Sequence, residues 1–95
     1  MKIAWSPEAI EDLAAVRAYI ADDDPAAARR VVLRIIDAIE RLLVQHPDLG
    51  RPGRVPGTRE LIGPRMPYVI PYRVAGEDVQ ILRVYHGARR WPNGF

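Results

Sequence analysis

Prolines partition this 95-residue chain more firmly than any other feature. A proline fixes φ and has no N–H to donate, so it opens helices and interrupts strands. Pro7 and Pro25 each follow a residue able to cap a helix, Ser6 and Asp24. Each pair marks a helix start, because the cap satisfies an orphan N–H and proline suits the first helical position. Glu8, Glu11 and Asp12 complement the positive end of the first helix. Ile10, Leu13, Val16 and Ile20 recur at steps of three and four, with Arg17 in the same run. That spacing predicts an amphipathic helix ending near Asp22. In the second segment Ala28, Val31, Val32, Ile35, Ile36, Ile39, Leu42 and Leu43 form a broad apolar face, and Pro47 ends it. Arg30, Arg34, Asp37 and Arg41 make the opposite stripe, which reads as a solvated face. So few residues join the two helices that they are expected to pack as an antiparallel hairpin over about residues 7–46.

The other prolines shape a β half. Lys2-Ile3-Ala4-Trp5 reads as a first strand. Residues 47–57 hold three prolines and three glycines in eleven positions, so a loop without regular structure is expected. Thr58 to Ile62 reads as a strand and residues 63–67 as a connection. Tyr68 to Val74, a tight turn over 75–78, and Val79 to Tyr85 read as a hairpin. Pro71 removes a ladder donor from the middle of its strand, which predicts an edge position or a bulge. The order β-α-α-β-β-β predicts an α+β fold, with the helix hairpin packed on one face of a small antiparallel sheet. A single domain over 1–95 is expected: hairpin about 7–46, C-terminal sheet about 58–86, and a basic tail at 87–95.

Composition narrows the function. Apolar residues make up 48% of the chain, enough for a core, and cysteine is absent, which removes disulfides and thiolate metal sites. The N-terminus lacks the apolar run of a signal peptide, and no stretch approaches the roughly 18 apolar residues of a membrane span, so a cytoplasmic location is expected. Residues 1–46 carry six basic and eight acidic groups (6 − 8 = −2), whereas residues 47–95 carry eight arginines and four acids (8 − 4 = +4). Thirteen of the fourteen basic residues are arginine, the side chain suited to forked contacts with phosphate or carboxylate. The asymmetry points to a polyanionic partner, either nucleic acid or an acidic protein segment. There is no glycine-rich phosphate loop, no histidine pair at metal-ligand spacing and no Ser-His-acid arrangement, so neither metal nor cofactor is expected.

Candidate site residues are therefore scattered. His86 ends the last strand close to Arg83, and an Arg and a His on one groove could meet phosphate charge and move a proton, as RNA cleavage requires. Strand alternation equally puts His86 on the face of Leu82 and Val84, where it would cap the edge of the core. His46, Asp48 and Glu60 could each act as a base or lie in loops and on the surface. Arg59 and Arg65 flank a strand and its exit loop, as phosphate contacts or partners of surface acids. Arg89, Arg90 and Trp91 combine charge with a stacking ring.

The opening Trp5-Ser6-Pro7-Glu8-Ala9, the strand Tyr68-Val-Ile-Pro-Tyr-Arg-Val74 and the ending Ile81-Leu-Arg-Val-Tyr-His-Gly-Ala-Arg89 resemble the RelE/ParE superfamily of bacterial type II toxins, closest to the ParE side. The resemblance covers nearly the whole chain. It implies a growth-inhibiting toxin neutralised by a cognate antitoxin, whose C-terminal segment folds on the toxin, in a toxin–antitoxin hetero-oligomer with no membrane partner. ParE-like action falls on DNA gyrase without a catalytic site; RelE-like action is ribosome-dependent mRNA cleavage. The RelE-type cluster of Lys and Arg with a C-terminal Tyr does not match, because Lys2 is the sole lysine and no tyrosine follows Tyr85. A second nuclease pattern would take Asp48, Arg65 and His86 as its catalytic residues, with Asp48 standing where that pattern has Glu. On the gyrase reading, Arg59, Arg73, Arg83, Arg89, Arg90 and Trp91 are the expected target- or antitoxin-contacting residues. A non-toxic antitoxin-binding module is the third reading.

Overall fold

In the computed structural model, which describes residues 1–62 and 67–87, both proline-marked helix starts are in place. The Ser6 hydroxyl accepts the Ala9 N–H (3.0 Å) and opens helix α1, Pro7–Ala21. The same hydroxyl donates to the Leu82 carbonyl (2.7 Å), so the cap also ties α1 to the far end of the chain. The Asp24 carboxylate accepts the Ala27 N–H (3.1 Å) and opens α2, Pro25–Ala38. The expected continuous helix to residue 46 instead widens into a π turn over Ile39–Leu43. That turn keeps both Ile39 and Leu43 fully buried. On α1 the buried line runs through Ala9 and Asp12, with Leu13, Val16 and Ile20 half-buried. Ile10 faces solvent, because small Ala9 takes the position of closest approach to the core.

Among the described residues six strands form one sheet: β1 Lys2–Trp5, β2 Arg51–Pro52, β3 Arg59–Ile62, β4 Tyr68–Ala75, β5 Asp78–Ile81 and β6 Tyr85–His86. Their order is β1-β5-β4-β3-β2, with β6 also on β4. The sheet is mixed rather than wholly antiparallel, since β1 runs parallel to β5 with Ile3 opposite Val79 and Trp5 opposite Ile81. No hairpin joins these two strands; the helix pair and three strands intervene, which is the length of connection a parallel pair needs. The helices cover one face, where Ile35, Ile39 and Leu43 meet Ile70, Tyr72, Val79 and Ile81.

Two expectations about prolines are corrected. The 47–57 loop is not wholly irregular, because Arg51 and Pro52 pair with Glu60 and Arg59. Pro71 is not at an edge. It lies fully buried in β4, flanked by β3 and β5. The alternative expectation, a bulge, holds. Tyr72 pairs with Ile81 and Val69 with Tyr85, so residues 70–71 face residues 82–84, one extra on the outer strand. The Pro71 carbonyl accepts the Leu82 N–H (2.9 Å), so its missing donor would have pointed at the bulge, where no ladder bond is required.

Tyr72 organises the loop below. Its hydroxyl accepts the Gly50 N–H (2.8 Å) and donates to the Pro47 carbonyl (2.8 Å). A Cβ on Gly50 would lie 2.6 Å from the Tyr72 ring and hydroxyl and 2.9 Å from the Glu60 carbonyl, so only glycine fits. Tyr72→Phe leaves the buried Gly50 N–H and the partly buried Pro47 carbonyl without this partner and is expected to cost about 1–3 kcal/mol in urea unfolding.

Burial holds the hydroxyls of Tyr72 and Tyr68 above the ordinary tyrosine range. Their neutral forms therefore stabilise the fold fully below about pH 10, and that contribution is lost as pH rises through the folded values. Absorbance titration near 295 nm should show these two tyrosines ionising later than in the urea-unfolded chain. Coincident titration curves would contradict the assignment.

Candidate functional site

The bulge builds the first cluster. Extra residues in a bulge lose their ladder partners, and here the orphan N–H of Val84 donates to the Asp12 carboxylate (3.0 Å). Asp12 also receives the Arg83 guanidinium through Nε (2.7 Å) and Nη2 (2.9 Å). One α1 carboxylate thus accepts three bonds from the break between β5 and β6. Arg83 lies 4.6 Å over the Tyr85 ring, and its hydrogen bonds to Asp12 hold it charged even more firmly than usual. Beside the clamp, between α1 and β4/β6, is a cavity of about 390 Å³ lined by Asp12, Ala15, Val16, Tyr19, Tyr68, Val84 and His86. His86 stands edge-on to Tyr68 with ring centroids 5.8 Å apart. Its side chain shares the cavity with Val84, but it is exposed and does not close the core edge: the bulge shifts the strand register before Tyr85, and both Val84 and Tyr85 are buried.

The second cluster is on the opposite edge. Glu60 sits on the sheet face away from the helices, and its side chain is 1% exposed. Oε1 receives Arg51 through Nε (3.1 Å) and Nη2 (2.9 Å), and Oε2 receives the Arg54 N–H (2.8 Å). Arg54 Nε lies 3.8 Å from the same oxygen. A buried carboxylate demands such partners. Arg59 donates to the carbonyls of Asp48 (3.2 Å) and Gly50 (2.9 Å) and so braces the same loop.

The sequence-predicted residues are thereby dispersed. Arg83 and Arg59 hold internal contacts. Arg73 is exposed on β4, opposite Gln80. His86 lines the α1 cavity, whereas Asp48 is an exposed loop residue near the Tyr72 hydroxyl, and the cavity does not include it. Glu60 is a buried anchor rather than a surface base, and His46 is exposed in the turn after the π turn. Arg65, Arg89, Arg90 and Trp91 lie outside the described residues. Among the described residues, no group of three His, Asp or Glu side chains could hold a metal ion, and no helix is long and apolar enough to cross a membrane.

Sequence reasoning used Asp12 only as a dipole partner and missed it as the clamp. The signal was available: Asp12 falls three residues after Ala9 and one before Leu13, inside the apolar line, where a carboxylate needs a partner. Asp12→Ala should leave the Val84 N–H and the Arg83 charge uncompensated and cost about 2–4 kcal/mol. A loss below half a kcal/mol in chemical denaturation would remove the clamp from this account.

Comparison with known proteins agrees with the fold. The family model described as ParE toxin of type II toxin-antitoxin system, parDE, matches residues 3–91. Protein Y4kP of Sinorhizobium fredii is 47% identical over 91 residues, covering 96% of this chain and 93% of that protein. Toxin RelE2 of Caulobacter vibrioides is 38% identical over 88 residues, covering 93% of this chain and 97% of that protein. A chain of the solved chromosomal ParDE TA system from P. aeruginosa superposes with a TM-score of 0.80 at 35% identity, covering 90% of this chain and 95% of its own length. The chain belongs to the ParE toxin family of type II toxin–antitoxin systems, within the RelE/ParE superfamily.

Proposed function

We propose that this toxin arrests growth in the cytoplasm by acting on DNA gyrase, without a catalytic site of its own, until its cognate antitoxin neutralises it. The observation that supports this reading is how three arginines of the sheet and its loop are used. Arg83 is bound to Asp12, Arg51 to Glu60, and Arg59 to two loop carbonyls. Cleaving RNA requires a proton mover and a cation free to meet phosphate charge in one groove. The α1 cavity that His86 lines does not include Asp48, and these are two of the three residues that the nuclease pattern would use. The ParDE neighbour leans the same way.

Purified toxin is expected to inhibit DNA supercoiling by gyrase in vitro, and its expression to leave mRNA intact. Undisturbed supercoiling at high toxin excess would defeat the proposal.

A ribosome-dependent mRNA interferase is the second reading. The RelE2 relative and the exposed imidazole of His86 at the mouth of a cavity favour it. The two readings separate on variants. Under the gyrase reading, His86→Ala and Arg65→Ala change toxicity by no more than about twofold. Under the nuclease reading, each abolishes toxicity in a folded protein, because removing a general acid–base group costs on the order of 10²–10⁴ in rate.

A further inference from the structure

Tyr68 is 9% exposed and lines the cavity of about 390 Å³ between α1 and β4/β6. Its hydroxyl has no hydrogen-bond partner among the described residues. We propose that this cavity binds a small, uncharged, planar aromatic molecule, about two fused rings in size, which supplies the partner that the Tyr68 hydroxyl lacks. The site goes beyond the gyrase reading and does not depend on it.

Three observations carry it. The first is the hydroxyl itself. Tyr68 and Tyr72 share one face of β4, by the strand period of two, and both belong to the core cluster. The Tyr72 hydroxyl accepts from Gly50 and donates to Pro47, so its burial is compensated. Burying the Tyr68 hydroxyl has no such compensation, and a buried polar group without a partner is uncommon because it costs stability. Burial, and then the nearby Tyr19 phenol, hold Tyr68 above the ordinary tyrosine range. Both keep its proton in place, so the hydroxyl can donate to an acceptor on a ligand. Tyr19 lines the same cavity from α1, so two phenols converge on it.

The second observation is the lining. Ala15, Val16 and Val84 give aliphatic walls, and the rings of Tyr19, Tyr68 and His86 give aromatic ones. Tyr19 is 80% exposed, so a flat molecule beside it removes ring surface from water. Pockets for small molecules run from roughly 300 to 1,000 Å³ and are mostly apolar with a few placed polar groups, which matches this cavity. The third observation is charge. The described lining holds no Arg or Lys to retain an anion. Its one carboxylate, Asp12, already accepts the Arg83 guanidinium and the Val84 N–H, so it sets no demand for a cation. An uncharged ligand fits that balance.

The test titrates purified full-length toxin with quinoline, an uncharged two-ring molecule with one acceptor nitrogen, and follows the backbone amides by NMR. Saturable shifts are expected at Val16, Tyr19, Tyr68 and Val84, with a dissociation constant below about 1 mM, and none at Leu49 or Ile62. Tyr68→Phe removes the hydroxyl and keeps the ring. It is expected to weaken quinoline about fivefold, the worth of one hydrogen bond, and to leave naphthalene, which has no acceptor nitrogen, within about twofold. Ala15→Trp, at an exposed α1 position, fills the cavity and is expected to weaken both by at least about tenfold. Stability gives a readout that needs no ligand. Tyr68→Phe should leave the urea midpoint unchanged or raise it, in contrast to Tyr72→Phe, because no protein partner is lost. A midpoint lowered as far as that of Tyr72→Phe overturns the proposal, since the hydroxyl would then already be paired. So does the absence of saturable shifts at the four cavity amides, or quinoline binding to Tyr68→Phe as tight as to the wild type. None of these outcomes bears on the gyrase reading, which the supercoiling assay tests.

Discussion

Pro71 has no N–H to give, and the sheet is arranged around that gap. Placed in β4 between two neighbours, it would leave a hole in any regular ladder. The outer strand answers with one extra residue, so β5 ends at Ile81 and β6 begins at Tyr85. The bulge frees the Val84 N–H, and α1 supplies Asp12 to receive it. On the far side of β4, a Pro71 carbonyl turned to Leu82 leaves the backbone groups of Glu60 pointing outward, where Arg51 of β2 lies opposite. The clamp on the outer side of the sheet thus goes with a single imino acid in the strand beside it.

The arginines follow a related logic. A small domain with two buried carboxylates must neutralise them, because an unpaired buried charge costs far more than its pairing gains. Asp12 takes Arg83, and Glu60 takes Arg51 with support from Arg54. The Arg-rich second half is therefore partly internal bracing, and the excess of positive charge that reaches the surface is smaller than the composition suggests. This is why residues that look alike in the sequence, such as Arg59, Arg73 and Arg83, have different roles in the structure. Arg59 braces a loop and Arg83 locks a bulge, while Arg73 is exposed on the open strand face.

Helix starts were legible because Ser6-Pro7 and Asp24-Pro25 act through local geometry, and the Gly76-Glu77 turn was legible for the same reason, with Gly76 at φ 61°. The parallel pairing of β1 with β5 was not, since it depends on where a strand docks after a long connection. The short β2 was hidden by its composition: the pairing of Arg51 with Glu60 depends on a buried carboxylate across the edge rather than on strand propensity. Strand alternation misjudged His86 because a period of two holds only while the register does, and the bulge breaks it at residues 82–84.

By itself the sequence determined the element order, both helix caps, the hairpin turn and the family ending, because each is set by neighbouring residues or by their order. Only the tertiary structure decided which arginines the buried carboxylates bind and how the strands pair. Those outcomes depend on residues that meet across 71 positions, as Asp12 and Arg83 do. Charge pairing at that separation is chosen by packing and desolvation, and no local pattern in the chain encodes it.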